Sequence, residues 1–171
     1  MSNELEILKN VEEKNTITQR ELAKRTGLSL GSVNVLLKRL IHKGFVKIEH
    51  INAKTLKYIL TPKGLMEKAR LTYKYIVLSY NYISGIEQKL ESIVESENGS
   101  KELILYGEKD ELYEIISSKL KLINKSFRFI NDINKLKQYN NDEYVIVTWN
   151  PDYMEDKKEE GINAINILSM K

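Results

Sequence analysis

Cysteine is absent from this chain, which excludes a disulfide framework, a thiolate metal site and a cysteine nucleophile, and points to a reducing, cytoplasmic setting. Histidine is almost as scarce. His42 and His50 are the two copies, too far apart for a local metal motif, so both are read as surface residues and no metal is expected. No apolar run approaches the roughly 18 residues that cross a bilayer, because even Tyr75 to Ile86 is interrupted by Ser79, Asn81 and Ser84. The opening Met1-Ser-Asn-Glu-Leu-Glu6 has neither the basic nor the apolar segment of an export signal, so no membrane partner is expected. Also missing are a His-Glu-x-x-His pair and a Walker loop. Hence no catalytic residue and no cofactor are assigned, and an enzyme is not expected.

The 171 residues are 30% charged and 42% hydrophobic, the balance of a chain that folds, and the length suits two small domains. Charge is distributed unevenly. Residues 1–64 hold 12 Lys and Arg against 6 Glu, a balance of +6, whereas residues 65–99 balance at −1 and residues 100–171 at −2. Within residues 19–64 the excess reaches +8, which is a polyanion-binding balance.

Between Asn3 and Lys14, Leu5, Leu8 and Val11 recur every three residues with Ile7 beside them, the stripe of a first helix. Thr18-Gln-Arg-Glu21 has the form of a capping box and opens a short second helix that ends at Gly27. Ser29 is placed to cap a third helix over about 30–43, with Val33, Leu36, Leu37, Leu40 and Ile41 as its inner stripe. Leu30, Gly31, Ser32, Asn34, Val35, Lys38, Arg39 and His42 are left facing solvent. Gly44 ends that helix. The alternation Phe45-Val-Lys-Ile-Glu-His50, a turn at Asn52-Ala53 and Thr55-Leu-Lys-Tyr-Ile-Leu60 predict an antiparallel hairpin.

The run from Arg20 to Val46, followed by Tyr58-Ile-Leu-Thr-Pro-Lys-Gly64, resembles the MarR-type winged-helix regulators, nearest the branch associated with exopolysaccharide gene clusters. The resemblance spans about residues 4–90. It implies that the third helix enters the major groove of double-stranded DNA with its N-terminal residues at base edges. Asn34 would then bond an adenine edge, Lys38 a guanine or phosphate, and Leu30 and Val35 thymine methyl groups. Ser29 and Ser32 lie at the same helix start, and Gly31 would let the backbone come close. Gln19, Arg20, Lys24 and Arg25 would sit by phosphates, with Lys54 and Lys57 on the hairpin reaching the backbone or minor groove. Asn34 has the alternative of being a plain solvated residue, and Leu30 of packing on the second helix. Val35 departs from the polar residue common there among such regulators.

Thr61-Pro62 is a helix start, with threonine as cap and proline at the first helical position. The helix is predicted to run to about residue 97, and positions 65, 69, 72, 76, 79, 83, 86, 90 and 93 form a heptad seam. Tyr73, Tyr75, Tyr80 and Tyr82 flank it. This seam predicts a homodimer through helix 62–97, with packing on the chain's own C-terminal part as the alternative. Gly85 is a place for a local kink.

After the polar break Glu97-Asn-Gly-Ser-Lys101, strands are predicted at 102–106, 127–130 and 144–148, a helix at 109–122, a short helix over 151–160 and a last strand over 162–168. Alternating strands and helices predict a small parallel α/β domain. Tyr106-Gly107-Glu-Lys-Asp-Glu-Leu112 looks like a degenerate Rossmann first turn; regulators with this extension tend to carry Gly-Ala-Gly there, and only Gly107 remains. Asp132 stands about where a ribose-binding acid would be, so Gly107 and Asp132 are the cofactor-site candidates.

The expected fold is thus an α+β winged helix-turn-helix domain (1–61), a long dimerisation helix (62–97) and a small α/β Rossmann-like domain (101–171). The expected function is that of a homodimeric, sequence-specific transcriptional regulator. The alternatives are a winged-helix protein-interaction module and a regulator that senses a nucleotide or nucleotide sugar as small-molecule effector through its C-terminal domain.

Overall fold

The computed structural model describes residues 2–52, 55–96, 101–150 and 161–169. The chain divides into two compact units, Met1–Tyr80 and Asn81–Lys171. In the first, three helices form where the caps require them. The Ser2 hydroxyl accepts from Leu5 N–H at the head of α1 (Asn3–Glu13). Both halves of the Thr18/Glu21 capping box are made at the head of α2 (Gln19–Thr26), which ends at Gly27 with φ 69°. Ser29 caps α3 (Leu30–His42) by accepting from Ser32 N–H at 3.1 Å. Each cap satisfies backbone donors that the first helical turn leaves unpaired.

The strands β1 (Val46–Asn52) and β2 (Thr55–Leu60) pair antiparallel from Val46↔Leu60 to Asn52↔Thr55, with an irregularity between His50 and Asn52. The tip of the hairpin, including Lys54 and half of the expected Asn52-Ala53 turn, lies outside the described residues. Ile7, Leu8, Val11, Ile17, Leu22, Val33, Leu37, Leu40, Val46 and Tyr58 form the core of this unit. Burying an aliphatic side chain of this kind stabilises a fold by about 1.5–3 kcal/mol.

The helix α4 (Pro62–Ser96) starts where Thr61-Pro62 predicts. Thr61 Oγ1 accepts from Gly64 N–H at 3.0 Å and donates to the Gly44 carbonyl at 2.6 Å, so one side chain both caps α4 and ties it to the end of α3. Gly85 does not break the helix. The expected seam divides at the boundary between the units. Ile86, Leu90 and Ile93 are buried in the core of the second unit, so at these three positions the partner is the chain's own sheet and not a second copy. The stretch from Leu65 to Tyr82 keeps an exposed apolar face.

The second unit is built on a four-stranded, all-parallel sheet in the order β4-β3-β5-β6. Its strands are β3 (Glu102–Tyr106), β4 (Phe127–Ile130), β5 (Tyr144–Thr148) and β6 (Ala164–Asn166). Side chains alternate between the two faces of the sheet. Leu103, Leu105, Val145 and Val147 pack with the second half of α4 and with α5 (Glu111–Leu122), while Ile104 and Ile146 pack with Leu136 and Ile162. Leu136 belongs to α6 (Ile133–Leu136), which runs into a 3-10 turn at Lys137–Tyr139; neither was expected, being too short to show a period. The helix α5 begins two residues later than expected because Asp110 is its cap. The last strand is shorter than expected because the Asn166 side chain accepts from Leu168 N–H at 2.9 Å and turns the chain. The expected helix over 151–160 and the break at 97–100 lie outside the described residues.

Candidate nucleic-acid interface

A helix whose inner stripe is buried must present the remaining positions outward, and α3 does so. Val33, Leu37 and Leu40 are buried, while Leu30, Gly31, Ser32, Val35, Lys38, Arg39 and His42 are exposed and Asn34 is half-buried. Leu30 is 46% and Val35 58% exposed, so about half of each apolar residue remains open to a partner. The Ser29 and Ser32 hydroxyls lie 2.8 Å apart at the head of the helix. A Cβ added to Gly31 would meet only Ser29 Oγ, at 3.9 Å. Nothing inside the fold requires glycine there.

The basic residues fall into two groups. Carboxylates already hold several of them: Arg25 Nη1 donates to Asn10 Oδ1 at 3.3 Å and to Glu13 Oε2 at 3.1 Å, while Arg39 and Lys43 approach Glu4 at 3.7 and 3.5 Å. On β1, Lys47 bonds Glu49 at 2.7 Å, and this contact, with Lys57 as a weaker contributor, holds the Glu49 carboxyl below its ordinary pKa. Among the described residues Arg20, Lys24 and Lys38 make no ion pair, and all three are exposed. An incoming phosphate would meet these three cations without competition from a paired carboxylate.

Gln19, expected beside a phosphate, donates from Nε2 to the Tyr58 hydroxyl at 3.3 Å. Tyr58 is buried on β2, and its N–H donates to the Asn15 carbonyl at 2.8 Å. The hairpin is thereby tied to the start of α2. Sequence reasoning missed Tyr58, because an inward tyrosine on a strand looks like any core residue.

The cofactor candidates lie in the second unit. The register Tyr106↔Ile130 puts Gly107 and Asp132 just beyond the C-terminal ends of neighbouring strands. The Asp132 carboxylate accepts from Asn134 N–H at 2.9 Å and caps α6, and Gly107 lies under the indole of Trp149. Among the described residues no group of three His, Cys, Asp or Glu stands close enough to hold a metal ion, and no helix is long and apolar enough to cross a membrane.

Residues 2–47 match the winged helix-turn-helix DNA-binding family. The matched segment is the helical part of the first unit together with the beginning of β1, and the paired strands β1 and β2 supply the wing. No curated protein matches the chain. Three solved structures are similar. The PcaV transcriptional regulator from Streptomyces coelicolor, in complex with its natural ligand, is 19% identical over 49% of this chain and 61% of its own, with a TM-score of 0.44. The YusO protein from Bacillus subtilis is 16% identical over 74% and 76%, with a TM-score of 0.44. The zinc-dependent MarR family transcriptional regulator AdcR, in its Zn(II)-bound state, is 21% identical over 72% and 74%, with a TM-score of 0.36.

Proposed function

We propose that this chain is a sequence-specific DNA-binding transcriptional regulator that acts as a homodimer, with no catalytic step. The observation that carries the reading is the outer face of α3, where Leu30, Gly31, Ser32, Asn34, Val35 and Lys38 stand together on a capped helix, with the exposed Arg20 and Lys24 of α2 in no ion pair among the described residues. Seated in the major groove, that face offers an amide for an adenine edge, a lysine for guanine or phosphate and two apolar side chains for thymine methyl groups. Arg20 and Lys24 take phosphates, and Lys57, with Lys54 near it in sequence, carries the wing to the DNA backbone or minor groove.

Dimerisation is supported by α4. From Leu71 to Ile86 its one charged residue is Lys74, and Tyr73, Ile76, Leu78 and Tyr80 are 58–70% exposed. Exposed apolar patches of this kind mark association surfaces. A two-fold pair of such helices calls for a palindromic operator. The resemblance to the exopolysaccharide-associated branch directs the proposal to surface-polysaccharide genes, with a cytoplasmic site of action.

The test is a binding titration against duplex DNA from upstream of the protein's own gene and against a scrambled duplex, at several salt concentrations. Salt-dependent binding with preference for the native duplex supports the regulator. Failure to bind either duplex at low salt overturns it in favour of a protein-interaction module.

A further inference from the structure

In an open parallel sheet, ligands bind in the crevice beyond the C-terminal ends of the strands, at the point where the chain reverses its direction of progress across the sheet. Here the order β4-β3-β5-β6 puts that point between the loops that follow β3 and β5. Trp149, the first residue after β5, is only 2% exposed. Its indole lies so close to Gly107, the first residue after β3, that a Cβ built there would stand 2.6 Å from Cε2 and 2.7 Å from Cζ2. The indole N–H donates to Asp110 Oδ1 at 3.1 Å, and the ring lies 6.2 Å from that of Tyr113, which meets Phe129 edge-on at 5.0 Å. Asp110 Oδ1 also accepts from Tyr113 N–H at 2.9 Å, so a carboxylate of the chain already takes the head of α5, where a phosphate would need free N–H groups.

We propose that Trp149 is the internal occupant of this crevice, standing where a planar aromatic ligand would lie, so that the native C-terminal unit is closed to nucleotides and nucleotide sugars. Three features then share one explanation. Gly107 is required by the indole and not by a pyrophosphate. Asp110 is required both to cap α5 and to accept the indole N–H. Glu108 and Glu111, which would repel a phosphate, are harmless in a crevice that never receives one. A signal that alters the DNA-binding unit does not enter through this crevice.

Trp149 is the only tryptophan of the chain, so its emission reports on the crevice alone. The experiment titrates the full-length protein with ADP, UDP-glucose and free indole while following emission and melting temperature. In the wild type none of the three is expected to change either quantity. Trp149→Gly is expected to melt several degrees lower and to be restored by free indole but not by ADP, as a vacated apolar cavity takes back the shape it lost. Gly107→Ala is expected to displace the ring, shifting its emission to the red and opening it to acrylamide. Saturable quenching of wild-type emission by ADP or UDP-glucose, with a rise in melting temperature, overturns the proposal. So does a folded Trp149→Gly protein that ignores indole, or a Gly107→Ala protein with unchanged emission. The wild-type titration and the Gly107→Ala spectrum decide the matter even where Trp149→Gly does not fold.

Discussion

Gly64 stands so close beneath Phe45 that no side chain fits between them: a Cβ on Gly64 would lie 2.8 Å from the Phe45 carbonyl carbon and nearer still to its oxygen. The obstacle is backbone, held in place by the Thr61 N–H bond to the same carbonyl at 3.1 Å, and it cannot swing aside. Gly64→Ala is therefore expected to destabilise the first unit by about 3 kcal/mol, the upper end of the overpacking range. Gly85 is the opposite case, a glycine inside α4 with nothing within 4 Å of an added Cβ. Gly85→Ala is expected to stabilise by about 0.5–1 kcal/mol, the helix-propensity difference. Denaturant melts of the two variants beside the wild type check both signs.

Gly31 separates folding from binding. The fold leaves room for a side chain there, so Gly31→Ala is expected to keep or slightly raise the melting temperature. A methyl group on the groove-facing surface of α3 is expected to weaken operator binding by roughly tenfold, about 1.4 kcal/mol. Unchanged affinity would remove Gly31 from the interface.

Asn34 and Lys57 distinguish base reading from phosphate contact. Asn34→Ala is expected to cost about 1–3 kcal/mol on the operator and little on scrambled DNA. Lys57→Ala is expected to weaken both duplexes alike and to flatten the dependence on salt by about one counterion per subunit. Equal loss on every sequence for Asn34→Ala would show that it reads no base.

Ile76 lies on the exposed face of α4 and is 58% exposed. A charge at that position is set against an apolar partner in the proposed dimer and against water in a monomer. Ile76→Glu is expected to halve the sedimenting mass while leaving the helical content unchanged, and a wild type that sediments as a monomer would overturn the dimer outright.

Glu21 sets a pH limit on α2. The Lys14 ammonium at 2.6 Å and then the Thr18 N–H at 2.9 Å hold its carboxyl at about 2, against an ordinary value of 4.5. A carboxyl with a lowered folded-state pKa stabilises fully above its unfolded value and loses that contribution as pH falls through the folded one. The stability difference between wild type and Glu21→Gln is expected to be constant above pH 4.5 and to vanish toward pH 2. Acid-unfolding curves of the two proteins, followed by circular dichroism, measure it.

Much of the first unit was legible because its signals are local. A capping box joins residues three apart, and a glycine at φ 69° acts on its own backbone, so Thr18, Glu21 and Gly27 could be read without knowing the fold. The face of α3 followed from one periodic stripe. What escaped were contacts between residues distant in sequence: Gln19 with Tyr58, Glu4 with Arg39 and Lys43, and Gly107 with Trp149. No spacing rule connects such pairs. The pairing of Arg25 with Glu13 likewise could not be foreseen, although it separates this cation from Arg20 and Lys24.

The sequence by itself determined the starts of the first four helices, the hairpin strands, the alternation of strand and helix after residue 101 and the basic excess over residues 19–64. Each of these depends on the conformational preference or charge of residues within a turn or two of one another. Only the tertiary structure decided what covers the stripe on α4, because an apolar face is the same pattern whether a sheet or a second helix lies against it. It took Ile86, Leu90 and Ile93 for the chain's own sheet and left Ile76 exposed. It also placed the Trp149 ring against Gly107. A glycine after a strand permits any close approach, and the strand order that sets β5 beside β3 is what brings this ring to it.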